Sequence, residues 1–226
     1  MPLIGGALLW LLWRWAQRRC EAANVANWGS PWLNRLDGLN RIFCRQFHRL
    51  QHDAMQLPAS GPALVVANHV SGLDPLLMLA ASPRPLRFMI AREQYERRLL
   101  MPLFRWVGCI PVERARNPRA ALKAARTALA AGEVVALFPH GRIHLDHHPP
   151  VPIKRGVLWL AKVSGAPIVP LRVDGVRAEG RTVRAVFVRS QARVRRFATL
   201  TMRDGHPDVI LQQIARALSG RIGSEQ

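Results

Sequence analysis

Acidic residues are scarce in this chain. Its 226 residues hold 14 Asp and Glu against 33 Lys and Arg, a formal charge of +19. Lys is scarcer still, present only at 123, 154 and 162, so the basic surface is almost entirely Arg. Such a surface seeks anionic lipid head groups, nucleic acid or acidic carrier proteins. Cysteine is nearly missing: Cys20, Cys44 and Cys109 are odd in number and far apart, which excludes a disulfide framework or a CxxC metal site and fits a reducing compartment. No apolar run reaches the about 20 residues that one bilayer crossing requires; the longest N-terminal stretch, residues 2–13, falls well short. No basic segment precedes that stretch, as a cleavable signal would need. No Gly-x-Ser-x-Gly elbow occurs, which argues against an α/β-hydrolase. Internal repeats and low-complexity linkers are missing too.

What remains is a chain with 49% hydrophobic residues, enough for a packed core. Its length suits one sizeable α/β domain with a small appendage rather than two ordinary domains. Trp10, Trp13, Trp15, Trp28 and Trp32 crowd the beginning, followed or interleaved by Arg14, Arg18 and Arg19. Trp favours the bilayer interface, so residues 1–52 read as a helical membrane-associating segment, an interfacial, monotopic anchor of one or two helices. A helical hairpin packed on the core would use the same residues, and the two readings can coexist. Within this segment Trp32, Leu33, Leu36, Leu39, Ile42, Phe43 and Phe47 recur at helical spacing and predict an amphipathic helix over 30–52.

From residue 53 to 226 the pattern is that of a second unit, in which short strands and helices alternate. Strands are predicted near 63–67, 86–91, 108–113, 133–138 and 167–172, and helices near 74–81, 98–106, 118–131 and 156–164. Residues 182–188 and 193–202 read as late strands and 207–218 as a closing helix. Such alternation predicts an α/β fold, a mainly parallel sheet flanked by helices.

The densest chemistry lies in Asn68-His69-Val70-Ser71-Gly72-Leu73-Asp74, where a His and an Asp stand five positions apart at the end of the apolar run 63–67. A strand ending there would place His69 at the carboxyl edge of the sheet, where open α/β sheets gather ligands. A carboxylate that holds one imidazole nitrogen fixes the tautomer and leaves the other nitrogen to take a proton from a hydroxyl. The alternative is that Asp74 caps the following helix, or forms a capping box with Ser71, and His69 is a polar loop residue.

This block resembles the first motif of the glycerolipid acyltransferases of the lysophosphatidate type, and three further segments follow in the order of that family. Gly108-Cys109-Ile110-Pro111-Val112-Glu113-Arg114 resembles its second motif, Phe138-Pro139-His140-Gly141-Arg142 its third, and Ala166-Pro167-Ile168-Val169-Pro170 its fourth. Lys154-Arg155-Gly156 matches the basic step before the fourth. The third motif departs from the family's Phe-Pro-Glu-Gly-Thr-Arg: His140 stands for Glu, Arg142 for Thr and Ile143 for Arg.

The resemblance implies acyl transfer from a thioester, acyl-CoA or acyl carrier protein, to the hydroxyl of a lysophospholipid such as 1-acylglycerol-3-phosphate, without a further cofactor or metal. His69 and Asp74 would be the catalytic pair. Asn68, Arg114, Gly141, Arg142 and Lys154 would bind substrate, with turn N–H groups near Asn68 and Gly141 as oxyanion donors and Arg114 and Arg142 on the acceptor's phosphate. Arg142 would restore, one position early, the charge missing at Ile143. The expected partners are membrane lipids and the acyl carrier at the cytoplasmic face of a membrane.

Rival readings accompany these. His140, His144, Asp146, His147 and His148 invite a metal, although no His-Glu-x-x-His spacing is present and Pro149, Pro150 and Pro152 favour a solvated loop. The Arg-rich stretch 172–203 would suit nucleic acid, but it lacks aromatic platforms beyond Phe187 and Phe197 and fits a membrane-facing surface as well. An acceptor other than the phosphate, such as a lyso-aminolipid, and a non-catalytic basic binding protein are the other two alternatives.

Overall fold

The structure, a computed structural model, describes residues 2–98, 100–113 and 118–219. Two helices come first, α1 (Pro2–Ala23) and α2 (Pro31–Gln46), then β1 (Gln51–His52), β2 (Ala63–Ala67), α3 (Asp74–Ala81) and β3 (Leu86–Ala91). After α4 (Arg92–Tyr95) and α5 (Met101–Trp106) come β4 (Ile110–Val112), α6 (Arg119–Ala130), β5 (Val134–Leu137) and α7 (Gly156–Ser164). The chain closes with β6 (Ile168–Asp174), α8 (Arg184–Phe187), β7 (Arg193–Arg196) and α9 (Pro207–Ser219).

Among the described residues seven strands form one sheet in the order β1-β7-β6-β2-β5-β3-β4. Every neighbouring pair is parallel except β6 with β7. The expected α/β class, a mainly parallel sheet covered by helices, is what the chain adopts. β2 lies between β5 and β6, and all five of its residues are buried. Alternate residues of a strand face opposite sides, so Ala63, Val65 and Ala67 join the core under α3 while Leu64 and Val66 join the core under α6, α7 and α9. An apolar run without polar alternation is what a strand buried on both faces requires.

α2 is locked to α3 by charge as well as by apolar contact. Arg41, buried, pairs with Asp37 at 2.5 Å and donates to the carbonyls of Ala80 (2.8 Å) and Ser82 (2.5 Å). Its guanidinium thereby satisfies carbonyls at the C-terminal end of α3, where the helix dipole favours a cation. Gly38 lets α1 cross α2 closely, because a Cβ there would lie 1.8 Å from the carbonyl oxygen of Cys20. Beyond that crossing α1 projects, with Leu8, Leu9, Trp10, Leu11, Leu12, Trp13 and Trp15 all exposed. No helix among the described residues is long and apolar enough to cross a membrane.

Three expectations change. The amphipathic helix stops at Gln46, and Gln51 and His52, expected in its last turns, pair with Arg193 and Val194 in the sheet. The periodicity of 30–52 could not show this, since two-residue strands carry no pattern of their own. Residues 182–188 are not a strand: Gly175, Ala178 and Gly180 with positive φ turn the chain away from the sheet into α8. β2 and the antiparallel β7 occupy the two sides of β6, so 182–188 has no place beside the strand that precedes it. The late strand 193–202 is shorter, ending at Arg196 with only an isolated bridge from Leu200 to Ile168.

Candidate active site

β2 ends at Ala67, and the seven-residue motif turns at the carboxyl edge of the sheet before entering α3. The His69 Nδ1–H donates to Asp74 Oδ2 at 2.8 Å. The same oxygen accepts the backbone N–H groups of Val70 (2.7 Å) and Ser71 (2.8 Å), and Oδ1 accepts the Ser71 hydroxyl at 2.6 Å. Four accepted hydrogen bonds on a fully buried carboxylate leave it one orientation. The proton of the imidazole is thus placed on Nδ1, and the lone pair of Nε2 is available for a substrate hydroxyl. Asp74 is the first residue of α3 and the helix start carries no side-chain capping bond; the bonds of Asp74 reach back to Val70 and Ser71, so it organises the turn that opens α3 and also holds the imidazole.

Two further contacts fix His69. The ring of Phe138, just beyond β5, stacks on the imidazole with centroids 4.0 Å apart and planes 12° apart. The backbone N–H of His144 donates to the carbonyl of His69 at 2.7 Å. Neither was legible in the sequence, because both depend on β5 lying beside β2. The adjacent Phe-Pro of the third motif was the only available signal for Phe138.

The substrate-binding candidates separate in the structure. His69, Gly141 and Lys154 line one large apolar cavity of about 1140 Å³ that runs beneath α2, α3 and α5. Lys154 Nζ lies over Gly141, 2.6 Å from where a Cβ would stand, and Gly141 has φ +74°, so a side chain there would be strained and would displace the ammonium. The Gly141 N–H donates to the Phe138 carbonyl at 2.8 Å, so the oxyanion donor expected at this turn is not that group. Asn68 is buried, and its carboxamide brackets Val173 of β6, accepting its N–H at 2.7 Å and donating to its carbonyl at 2.9 Å. That side chain ties β2 to β6 and is not part of the cavity wall. Arg142 is exposed. Arg114 lies outside the described residues.

Cys109 also lines the cavity, but burial pushes its thiol up to about 12, which keeps it protonated and poorly nucleophilic. The His-rich loop forms a chain of neighbouring rings: His140 with His144 at 5.0 Å, His144 with His148 at 5.7 Å, His148 with His147 at 4.6 Å. Burial, then the charge of neighbouring groups, pushes the His140 and His144 imidazoles below their ordinary value. Among the described residues no three metal-ligating side chains are placed to hold an ion. Asp146 of this loop pairs with the buried Arg172 on β6, which also binds Asp174 at 2.7 Å, so the loop is pinned to the sheet.

A His held by a buried Asp at the carboxyl edge of a mainly parallel sheet, opening on a long apolar cavity, has the features of an enzyme-like site. Residues 48–174 match the family model described as Acyltransferase, and the chain belongs to that family. It is 25% identical over 120 residues to the 1-acyl-sn-glycerol-3-phosphate acyltransferase of Bacillus subtilis, covering 53% of this chain and 59% of that protein. It is 32% identical over 119 residues to a probable 1-acyl-sn-glycerol-3-phosphate acyltransferase of Mycoplasma pneumoniae, covering 50% of this chain and 44% of that protein. The chain thus spans about half the length of the curated relatives it matches. In structure it resembles the 1-acyl-sn-glycerophosphate (LPA) acyltransferase PlsC of Thermotoga maritima, with a TM-score of 0.67 at 17% identity over 84% of this chain and 79% of that one. The fold is shared.

Proposed function

We propose that this chain transfers an acyl group from an acyl thioester, acyl-CoA or acyl carrier protein, to the hydroxyl of a lysophospholipid, with 1-acylglycerol-3-phosphate the leading acceptor. The observation that carries this reading is the His69–Asp74 pair, 2.8 Å apart, at the wall of an apolar cavity large enough for an acyl chain. Nε2 of His69 takes the proton of the acceptor hydroxyl as its oxygen attacks the thioester carbonyl. The tetrahedral intermediate collapses by breaking the C–S bond, and the departing thiolate receives the proton from the imidazolium. Asp74 supports the positive charge that His69 carries between the two transfers. The names of the relatives support the acceptor class.

Membrane association through α1 and α2 belongs to the same reading. It is supported by the exposed Leu and Trp side chains of α1 and by the formal charge of +19, which suit an interfacial helix on anionic lipid. The cytoplasmic face is the expected side.

A second acceptor reading has its own support. Arg142 is exposed and absent from the cavity wall, and His140 and Ile143 replace the charged residues of the family's third motif. An acceptor without a phosphate, such as a lyso-aminolipid, would suit that arrangement. The test is a panel of lyso-lipid acceptors with radiolabelled acyl-CoA and acyl carrier protein, run on the wild type and on Arg142→Ala. For a phosphate acceptor held by Arg142, its KM rises about 10- to 150-fold while the donor KM stays put. An unchanged acceptor KM, with equal turnover of acceptors lacking phosphate, selects the second reading. No turnover of any lyso-lipid removes both.

A further inference from the structure

The most exposed apolar residues at the rim of the cavity are on α8 and the residue that precedes it, far in sequence from the N-terminal helices. Phe187 is 73% and Val183 58% exposed, and both line the cavity that reaches His69. Leu39 of α2 and Leu100 beside α5, 52% and 41% exposed, complete an apolar rim drawn from three parts of the chain. Residues 180–203 contain Arg181, Arg184, Arg189, Arg193, Arg195, Arg196 and Arg203 and no Asp or Glu. Arg181, Arg184 and Arg189 flank the apolar pair and are exposed.

The segment is also fixed to the site. The Gly180 N–H donates to the Val70 carbonyl at 2.8 Å and the Gly72 N–H to the Arg181 carbonyl at 3.2 Å. The fit is close enough that a Cβ on Gly72 would lie 2.1 Å from the Thr182 carbonyl oxygen. From the other side, His48 Nε2 meets the carbonyl of Val186 at 3.1 Å. α8 therefore sits at a set position relative to the His69 turn.

On the lipid-acceptor reading above, we infer that α8 is a second membrane contact: Val183 and Phe187 enter the interfacial layer of an anionic bilayer while Arg181, Arg184 and Arg189 meet lipid phosphates. The cavity mouth is then sealed on the bilayer, and an acceptor passes from lipid to His69 without crossing water. Two apolar side chains ringed by Arg suit a lipid surface better than a protein partner, whose stable interfaces bury about 1,200 Å² or more. This contact is separate from the anchor at α1 and α2.

The test uses the full chain with Cys20→Ser, leaving two buried cysteines, and an environment-sensitive dye on a new cysteine in Phe187→Cys or, as reference, Leu12→Cys. Vesicles of phosphatidylcholine with phosphatidylglycerol are added, and emission and quenching by aqueous iodide are read. Insertion of α8 gives a blue shift and loss of quenching at both positions. Insertion at 12 with 187 still quenchable overturns the inference and leaves the membrane reading standing; quenching at both overturns the membrane reading as well. Protection at 187 without vesicles, rising with protein concentration, assigns the face to a second copy and also overturns it. In flotation, Arg184→Gln lowers partition onto anionic vesicles about fivefold, and an unchanged partition refutes the phosphate contact.

Discussion

The turn from Asn68 to Asp74 and the loop after β5 face the same site from opposite sides, yet they are built in different ways. In the turn, the bonds that hold the imidazole lie within the motif itself: His69, Val70 and Ser71 all donate to Asp74, and Asp74 is fully buried. In the loop, the contacts that fix it to the rest of the fold are to distant elements, Asp146 to Arg172 and His144 to His69, and His140 Nδ1 is buried without a hydrogen-bond partner among the described residues. A buried polar atom without a partner costs about 1–3 kcal/mol. A His with one permitted geometry thus stands beside a loop whose residues depart from the family's third motif at His140, Arg142 and Ile143.

Breaking the turn should have the largest effect. His69→Ala lowers turnover by about 10² to 10⁴ while circular dichroism and the melting temperature stay near those of the wild type. Near-normal turnover in that folded variant would remove His69 as the base. Gly72→Ala attacks the same turn through packing, since its methyl meets the Thr182 backbone carbonyl at 2.1 Å, which cannot swing aside like a side chain. Overpacking of this kind costs about 1–3 kcal/mol, measurable by urea unfolding, and unchanged stability would show that the 180–183 segment yields freely.

Phe138 joins the two regions, so replacing its ring tests how far they act together. Phe138→Leu keeps an apolar side chain but removes the stack on His69, worth about 0.5–1.5 kcal/mol. A fall in kcat of about two- to twelvefold with an unchanged donor KM is expected; an unchanged kcat would make the ring a cavity wall only. The smallest effect is a pH dependence of stability that belongs to the loop. His140 and His144 titrate below the ordinary 6.5 when folded. Above about 6.5 both folded and unfolded states hold them neutral, and their full contribution is present. As the pH falls through that value the unfolded chain takes up protons first, and stability is lost until the folded values are passed. Melting curves from about pH 7.5 to about pH 5.5 should therefore flatten when both His become Asn, and an equal slope in that variant would place the titration elsewhere, with the buried His48 the next group to replace.

Much of the candidate site and the sheet around it was legible because it is local. The strand Ala63–Ala67 and the helices Asp74–Ala81 and Gly156–Ser164 lie where the local pattern of apolar residues puts them. A His and an Asp five residues apart across a strand-to-helix turn can meet through the turn's own geometry, so their pairing needs no knowledge of the sheet. The contacts that Asn68 and Gly141 make were illegible for the opposite reason. Asn68 answers to Val173, 105 residues away, and the Gly141 N–H closes a turn onto Phe138.

The amino-acid sequence by itself determined the class of fold, the pairing of His69 with Asp74 and the basic, Trp-rich character of the surface, since periodicity, near-neighbour hydrogen bonding and net charge act over a few residues or over the whole composition. Only the tertiary structure decided the strand order that stacks Phe138 on His69, the two-residue β1, the conversion of 182–188 into an exposed helix and the long cavity between α2, α3 and α5. Each of these depends on which free edge or face remains once the sheet has assembled around β2, a choice made by contacts between residues far apart in the chain, which no local pattern encodes.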